Sequence, residues 1–338
     1  MKPFTVDASS PVHADVALAD KVRAVRERIL AELRKIIVGQ DAVIEETLVA
    51  LFAGGHCLIV GVPGLAKTLL VQSLAQALDL KFQRIQFTPD LMPSDITGTD
   101  IIQEDPTSGR RDMVFMPGPV FANVLLADEI NRTPPKTQAA MMEVMEERQV
   151  SVDGIARPLP DPFLVAATQN PIEHEGTYPL PEAQLDRFLL KLTVPLPTRE
   201  EELGVVRNHH HGFDPRDLGA AGLTAVAGPA ELAAAREAVK KVTVADGVLG
   251  YLVDLCRATR VTPSVELGAS PRGATSLLNT AKAWAWLSGR DFVTPDDVKI
   301  MARPTLRHRL RLRPEAELEG VTPDAVLDTV LAGVPTPR

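Results

Sequence analysis

The chain has 338 residues, 45% hydrophobic and 24% charged, with a net charge of −8. That is long enough for two domains, or one domain with a smaller companion, and apolar enough for a sizeable core. Aromatic residues at 4% argue against a base-stacking platform for single strands, and the acidic balance disfavours a broad phosphate-backbone interface.

The two cysteines, Cys57 and Cys256, each lie in an apolar stretch and read as buried reduced thiols, so a disulfide framework is excluded. Residues 1–20 lack a basic region followed by a long apolar core, so no secretion signal is read, and no apolar run approaches the ~18 residues of a membrane helix. The expectation is a cytoplasmic protein with no membrane span.

Residues 1–20 carry Pro, Ser and Asp without a sustained period and read as a loose N-terminal arm. From Lys21 to Lys35, Val22, Val25, Ile29, Leu30 and Leu33 fall at helical spacing. Asp41 is expected to cap a second helix that carries Ile44, Leu48 and Leu51. Cys57 to Val60 reads as a buried strand, Thr68 to Leu78 as an amphipathic helix, and Phe82 to Phe87 as another strand. Thr88 to Gly118 is rich in Pro, Gly and Asp. An insertion of that length inside a compact α/β unit is more often functional than idle. Val124 to Ala127 and Phe163 to Ala167 read as buried strands, with a helix over Pro135 to Glu147. Between Gln149 and Pro158, Asp153-Gly154 stands among alternating residues and signals a hairpin.

Beyond Pro195-Leu196-Pro197 the helical signals dominate. Ser270-Pro271, Thr294-Pro295 and Thr322-Pro323 each place a capping residue before a proline, a repeated helix start. The expected division is an α/β core over 21–198, with insertions near 88–118 and 149–160, and a smaller all-α lid over 199–338.

Two motifs carry chemistry, and each follows a strand. Gly61-Val62-Pro63-Gly64-Leu65-Ala66-Lys67-Thr68 reads as a phosphate cradle. Gly61 and Gly64 permit turn conformations and close backbone approach, and Pro63 stiffens the turn. The helix that follows adds its positive N-terminal end. Lys67 would meet the outer phosphates and Thr68 would offer a hydroxyl to Mg²⁺. Ala66 stands where glycine is usual, which the loop should tolerate if that residue is not at positive φ. In the second motif, Asp128 would hold Mg²⁺, directly with Thr68 or through water, and Glu129 would polarise the attacking water. Together they point to an enzyme that hydrolyses a nucleoside triphosphate.

Other signals read as bland. His209-His210-His211 has no partner ligand at fitting spacing and reads as a solvated loop. Trp284 and Trp286 read as packing residues. Arg303, Arg307, His308, Arg309, Arg311 and Arg313 read as a solvated face balanced by Glu315, Glu317 and Glu319.

Four segments together resemble the MoxR family of AAA+ ATPases. They are the cradle Gly61–Thr68, the run Leu126 to Arg132 around Asp128-Glu129, Ala167 to Pro171, and the long motif Glu175 to Phe188. The likeness is dense from about Ile36 to Val194 and looser in the helical region, and Ala66 is itself usual in this family. It implies a P-loop AAA+ domain, a parallel sheet flanked by helices, followed by an all-α lid. It implies that Asn170 contacts the γ-phosphate or the attacking water, and that Val38 and Gly39 lie against adenine. Arg187 resembles an arginine finger, which acts on a neighbour's phosphate and so requires a ring, taken as a hexamer. Arg272 resembles a phosphate-sensing lid arginine. A cation in a first helical turn opposes the helix dipole and needs another reason to be there.

The resemblance also implies ATP-driven remodelling or maturation of separate partner proteins. Those partners include ones with a von Willebrand factor A domain, and the work includes metal insertion. Competing readings are a nucleic-acid motor, a nucleotide-gated scaffold and a chelatase subunit.

Overall fold

Five short apolar runs pair into one parallel sheet. From edge to edge its strands are Phe82–Gln86, Val124–Asp128, Leu164–Gln169, Cys57–Val60 and Leu190–Thr193. The computed structural model describes residues 24–104, 111–171 and 176–337, so the expected arm at 1–20 and the motif residue Glu175 lie outside the described residues. Val124–Asp128 is buried at every position, as a strand covered on both faces must be. Alternation along each strand divides the side chains between two clusters. Leu58, Leu125, Ala127, Val165 and Ala167 pack with Met141, Met142 and Phe163 on one face. Ile59, Leu126 and Leu192 pack on the other face in a cluster that continues into the lid through Leu277, Ala281 and Met301.

The parallel register sets up the site. Cys57–Val60 pairs with Leu164–Gln169 so that Val60 lies opposite Gln169, and Ala127 lies opposite Ala167. The C-terminal ends of the three central strands therefore share one edge, the place where open α/β sheets bind ligands.

The helix Asp41–Phe52 starts differently from the expectation. Gln40, at φ 61°, occupies the capping position, and Asp41 is the first helical residue. There Asp41 pairs with Arg34 at 3.0 Å, and its charge suits the positive helix end. The insertion after Phe87 holds a short helix, Pro93–Thr97, and an antiparallel hairpin of Gly98–Glu104 with Arg111–Pro117. The second hairpin, Gln149–Val152 with Ile155–Pro158, turns on Asp153 and Gly154 at φ 50° and 78°. Both residues are left-handed, as a two-residue turn matched to strand twist requires.

The lid is built from helices Arg199–His210, Pro229–Lys240, Asp246–Val261, Pro271–Leu287, Pro295–Leu306 and Pro323–Gly333. The hydroxyls of Ser270, Thr294 and Thr322 each accept a backbone N–H three residues on. A short antiparallel pairing of Val265–Leu267 with Arg311–Leu312 joins the helices. Trp286 packs against Phe52 with ring centroids 5.1 Å apart. No helix among the described residues is long and apolar enough to cross a membrane.

The basic stretch is a solvated face only in part, at Arg303, Arg311 and Arg313. His308 and Arg309 are buried. Arg303 pairs with Asp328, Arg307 with Asp324, Arg309 with Asp186, and Arg311 with Glu182, in place of the expected Glu315, Glu317 and Glu319.

The same junction holds Glu46 within the field of Arg307, Asp324 and Glu45. Burial pushes the Glu46 carboxyl up to about 7, although Arg307 opposes the shift. The folded value lies above the ordinary ~4.3, so the protonated form stabilises the fold. That contribution is complete below the ordinary value and is lost as pH rises through about 7. Glu46→Gln is therefore expected to leave stability nearly unchanged at pH 4, below the ordinary value. At pH 8 it should raise stability by about 2 kcal/mol, allowing for solvent screening. Chemical denaturation at the two pH values reads this directly.

Candidate nucleotide site

The cradle connects the strand Cys57–Val60 to the helix Lys67–Ala77. Gly64 lies at φ 86° and Ala66 at φ 53°, ψ 24°. A backbone that turns twice into the left-handed region gathers its N–H groups into an anion-binding concavity. A Cβ on Gly64 would meet nothing within 4 Å, so glycine is needed there for its dihedral and not for space. Ala66 departs from the expectation, because it does sit at positive φ and carries about 1 kcal/mol of strain. Lys67 donates to the carbonyls of Gly61 and Val62, the first two residues of the cradle itself. Its burial lowers the ammonium pKa, while Asp128 and Glu129 oppose that shift.

Asp128 ends its strand and is nearly buried. Thr168 donates to its Oδ1 at 2.6 Å, and Arg84 Nη2 donates to its Oδ2 at 2.6 Å. Glu129 turns left-handed, at φ 57°. Its own N–H donates to the Thr168 hydroxyl at 2.9 Å, so one threonine fixes both acidic residues. The Glu129 Oε2 accepts from Gln86 at 2.8 Å and from Arg132 at 3.0 Å. Arg84 and Gln86 come from the edge strand, whose register sets Gln86 opposite Asp128.

Lys67, Thr68, Asp128, Glu129, Thr168 and Asn170 line one cavity of about 520 Å³, a size suited to a nucleotide. The hydroxyl of Thr68 and the carboxylate of Asp128 are hard oxygen donors. They fit Mg²⁺, which takes few protein ligands and fills its shell with phosphate and water. The other end of the cavity is apolar, with Ile37, Val38, Val205 and Phe213 in its wall. Gly39 does not face it; its φ of 70°, a region that L side chains rarely adopt, accounts for the glycine. Gln40 donates to the Leu65 carbonyl at 3.2 Å and links this segment to the cradle.

Sequence reasoning missed the contribution of the helix Arg199–His210. Val205, Asn208 and His209 line the cavity at helical spacing, so His209 stands at a helix end and not in a solvated loop. Its ring meets Phe213 edge-on with centroids 5.6 Å apart. Helical phase, and not the run of three histidines, was the available signal.

Two of the candidate residues lie elsewhere. Arg187 Nη2 pairs with Glu146 Oε2 at 2.9 Å and its Nη1 donates to the Met142 carbonyl. Arg272 Nη2 pairs with the other oxygen of the same carboxylate at 3.2 Å. Neither lines the cavity. Arg272, expected to sense phosphate, stands here beside Arg187 on the shared Glu146.

The comparisons with known proteins agree with this geometry. Residues 56–190 match the family model described as the ATPase family associated with various cellular activities (AAA), and residues 257–330 match an AAA lid domain. YeaC of Bacillus subtilis is 43% identical over 312 residues, covering 92% of this chain and 94% of that protein. Chaperone MoxR1 of Mycobacterium tuberculosis is 44% identical over 321 residues, covering 92% of this chain and 82% of that protein. A crystal structure from Cytophaga hutchinsonii, described provisionally as an ATPase, superposes with a TM-score of 0.87 at 39% identity, covering 97% of this chain and 99% of that one. The parallel sheet, its cradle and the helical lid define a AAA+ ATPase fold. Within that class, the chain belongs to the MoxR family.

Proposed function

We propose that the protein hydrolyses ATP with Mg²⁺ in a ring, and uses the cycle for chaperone-like remodelling of partner proteins. The observation that carries this reading is the convergence of Lys67, Thr68, Asp128, Glu129 and Asn170 on one cavity. The cradle and Lys67 hold the phosphates. Thr68 and Asp128 hold the metal, whose chemistry is to neutralise charge on the phosphate oxygens. Glu129 takes the proton of the attacking water, and Asn170 orients that water or the γ-phosphate. In this structure the Glu129 carboxylate is engaged by Gln86 and Arg132, so catalysis requires its release from them.

Arg187 and Arg272 supply the missing positive charge to a neighbour's site. Glu146 occupies both cations here, and a neighbour's γ-phosphate would compete for them. We take the ring as a hexamer in the cytoplasm. Its client or adaptor is a separate protein, for which a von Willebrand factor A domain and metal insertion are the family's precedent. The first insertion supports a polypeptide client, since its Ile102, Met113 and Met116 are exposed. The arginines Arg303, Arg307, Arg309 and Arg311 are paired with carboxylates, which counts against the reading as a nucleic-acid motor.

Lys67→Ala tests the cradle. The variant is expected to bind ATP about 100-fold more weakly, the loss of roughly 3 kcal/mol for an enclosed charge pair. Fluorescent-nucleotide titration measures it. Unchanged affinity would remove Lys67 from the phosphate site.

A further inference from the structure

Arg309 leaves the helix Pro295–Leu306 in a single 3-10 turn, Arg307–Arg309, and points into the junction between lid and core. Its Nε donates to Asp186 Oδ1 at 2.7 Å. Its Nη2 donates to the Asp186 carbonyl at 3.2 Å, the Phe188 carbonyl at 2.8 Å and Ser276 Oγ at 3.3 Å. Its Nη1 donates to the carbonyls of Leu189 and Thr305. His308 adds a contact of 2.9 Å to the Phe188 carbonyl. Arg187 is thus bracketed: the residue before it and the residue after it are both held by one lid guanidinium.

The same group supports Arg272. A Cβ on Gly273, the next residue, would lie 3.1 Å from Arg309 Cδ, so the helix start rests directly on the arginine stem. The two cations that share Glu146 therefore stand on a single support. Burying a guanidinium costs several kcal/mol unless its donors are satisfied, and here each of the three nitrogens finds an acceptor. Such a pair is weak as a source of stability and strong as a source of geometry. The planar fork holds several acceptors at fixed angles, which an ammonium cannot reproduce.

We propose that Arg309 is a positioning residue that couples the lid of each subunit to Arg187, so that lid placement in one subunit sets the catalytic competence of the next subunit's site. This rests on the reading of Arg187 as an arginine acting in trans. A nucleotide-driven shift of the lid would reach the neighbour through Arg309 and the segment Asp186 to Phe188.

The test compares Arg309→Gln, Asp186→Asn and Arg187→Ala, each alone and each mixed with Lys67→Ala subunits. Alone, Arg309→Gln and Asp186→Asn are expected to lose about 100-fold in kcat, the cost of misplacing a catalytic group by about 1 Å, with the KM for ATP within about threefold of the parent. In the mixtures activity should recover for all three. A Lys67→Ala neighbour brings an intact Arg187, while the other subunit supplies an intact cradle. Arg309→Lys should behave like Arg309→Gln, since charge without the fork does not restore the geometry.

Recovery with Arg187→Ala but not with Arg309→Gln or Asp186→Asn would overturn the proposal, placing Arg309 in its own subunit's site or in folding alone. Full activity of Arg309→Gln would overturn it too. Failure of the Arg187→Ala mixture itself would overturn the trans reading of Arg187 instead. If Arg309→Gln does not fold, Asp186→Asn carries the comparison, its side chain being 25% exposed. Loss of folding in both would also overturn the coupling.

Discussion

Glu129→Gln is expected to bind ATP as the parent does and to lose turnover by about 1000-fold, within the range that removal of a general base produces. The amide fills the same volume and still meets Gln86 and Arg132, so the loop Ile130–Arg132 and the Thr168 contact to its backbone should persist. What disappears is the capacity to accept a proton from water. Nucleotide affinity and phosphate release must be measured on the same preparation, because the expected signature is the split between them. An unchanged rate would favour a nucleotide-gated scaffold, or place the base elsewhere.

Arg187→Ala is expected to lower kcat by about 1000-fold, the lower end of what an arginine finger contributes. The ATP affinity of the same subunit should not change, since the side chain does not line that subunit's cavity. Its removal also frees one oxygen of Glu146, leaving Arg272 as that carboxylate's partner. Arg272→Ala is expected to move kcat in the same direction by a smaller factor, as its contact to Glu146 is longer and its side chain more exposed. An Arg187→Ala enzyme with parental turnover would remove the residue from the reaction.

Much of this site was legible in the sequence because parallel strands announce themselves. Cys57 to Val60, Val124 to Ala127 and Phe163 to Ala167 are continuous apolar runs, and in a parallel sheet all three must end at one edge. The residues that follow such runs therefore meet, which is why Lys67 and Asp128 could be grouped before any contact was seen, while Asn170 joined them through the family resemblance. Capping residues were similarly direct, since Ser270, Thr294 and Thr322 act within three residues of themselves.

What the sequence concealed was long-range. Read from sequence, Thr168 has no role of its own within the run Ala167 to Pro171, and only the strand pairing shows it holding Asp128 and the Glu129 backbone together. The positive φ of Ala66 is imposed by the loop against the residue's own preference. The place of Arg272 depends on how the lid seats on the core, which no local pattern encodes. Arg309 was read as solvated because charge runs usually are; its burial follows from carbonyls of a segment more than a hundred positions away.

The central claim is that each catalytic site is completed by another subunit, and dilution of the unaltered protein tests it most directly. ATPase rate per subunit should be measured against protein concentration, with mass determined in parallel. The expected result is a rate that falls steeply as the assembly dissociates and returns on reconcentration. A rate per subunit that stays constant down to concentrations where the chain is a monomer would contradict the claim.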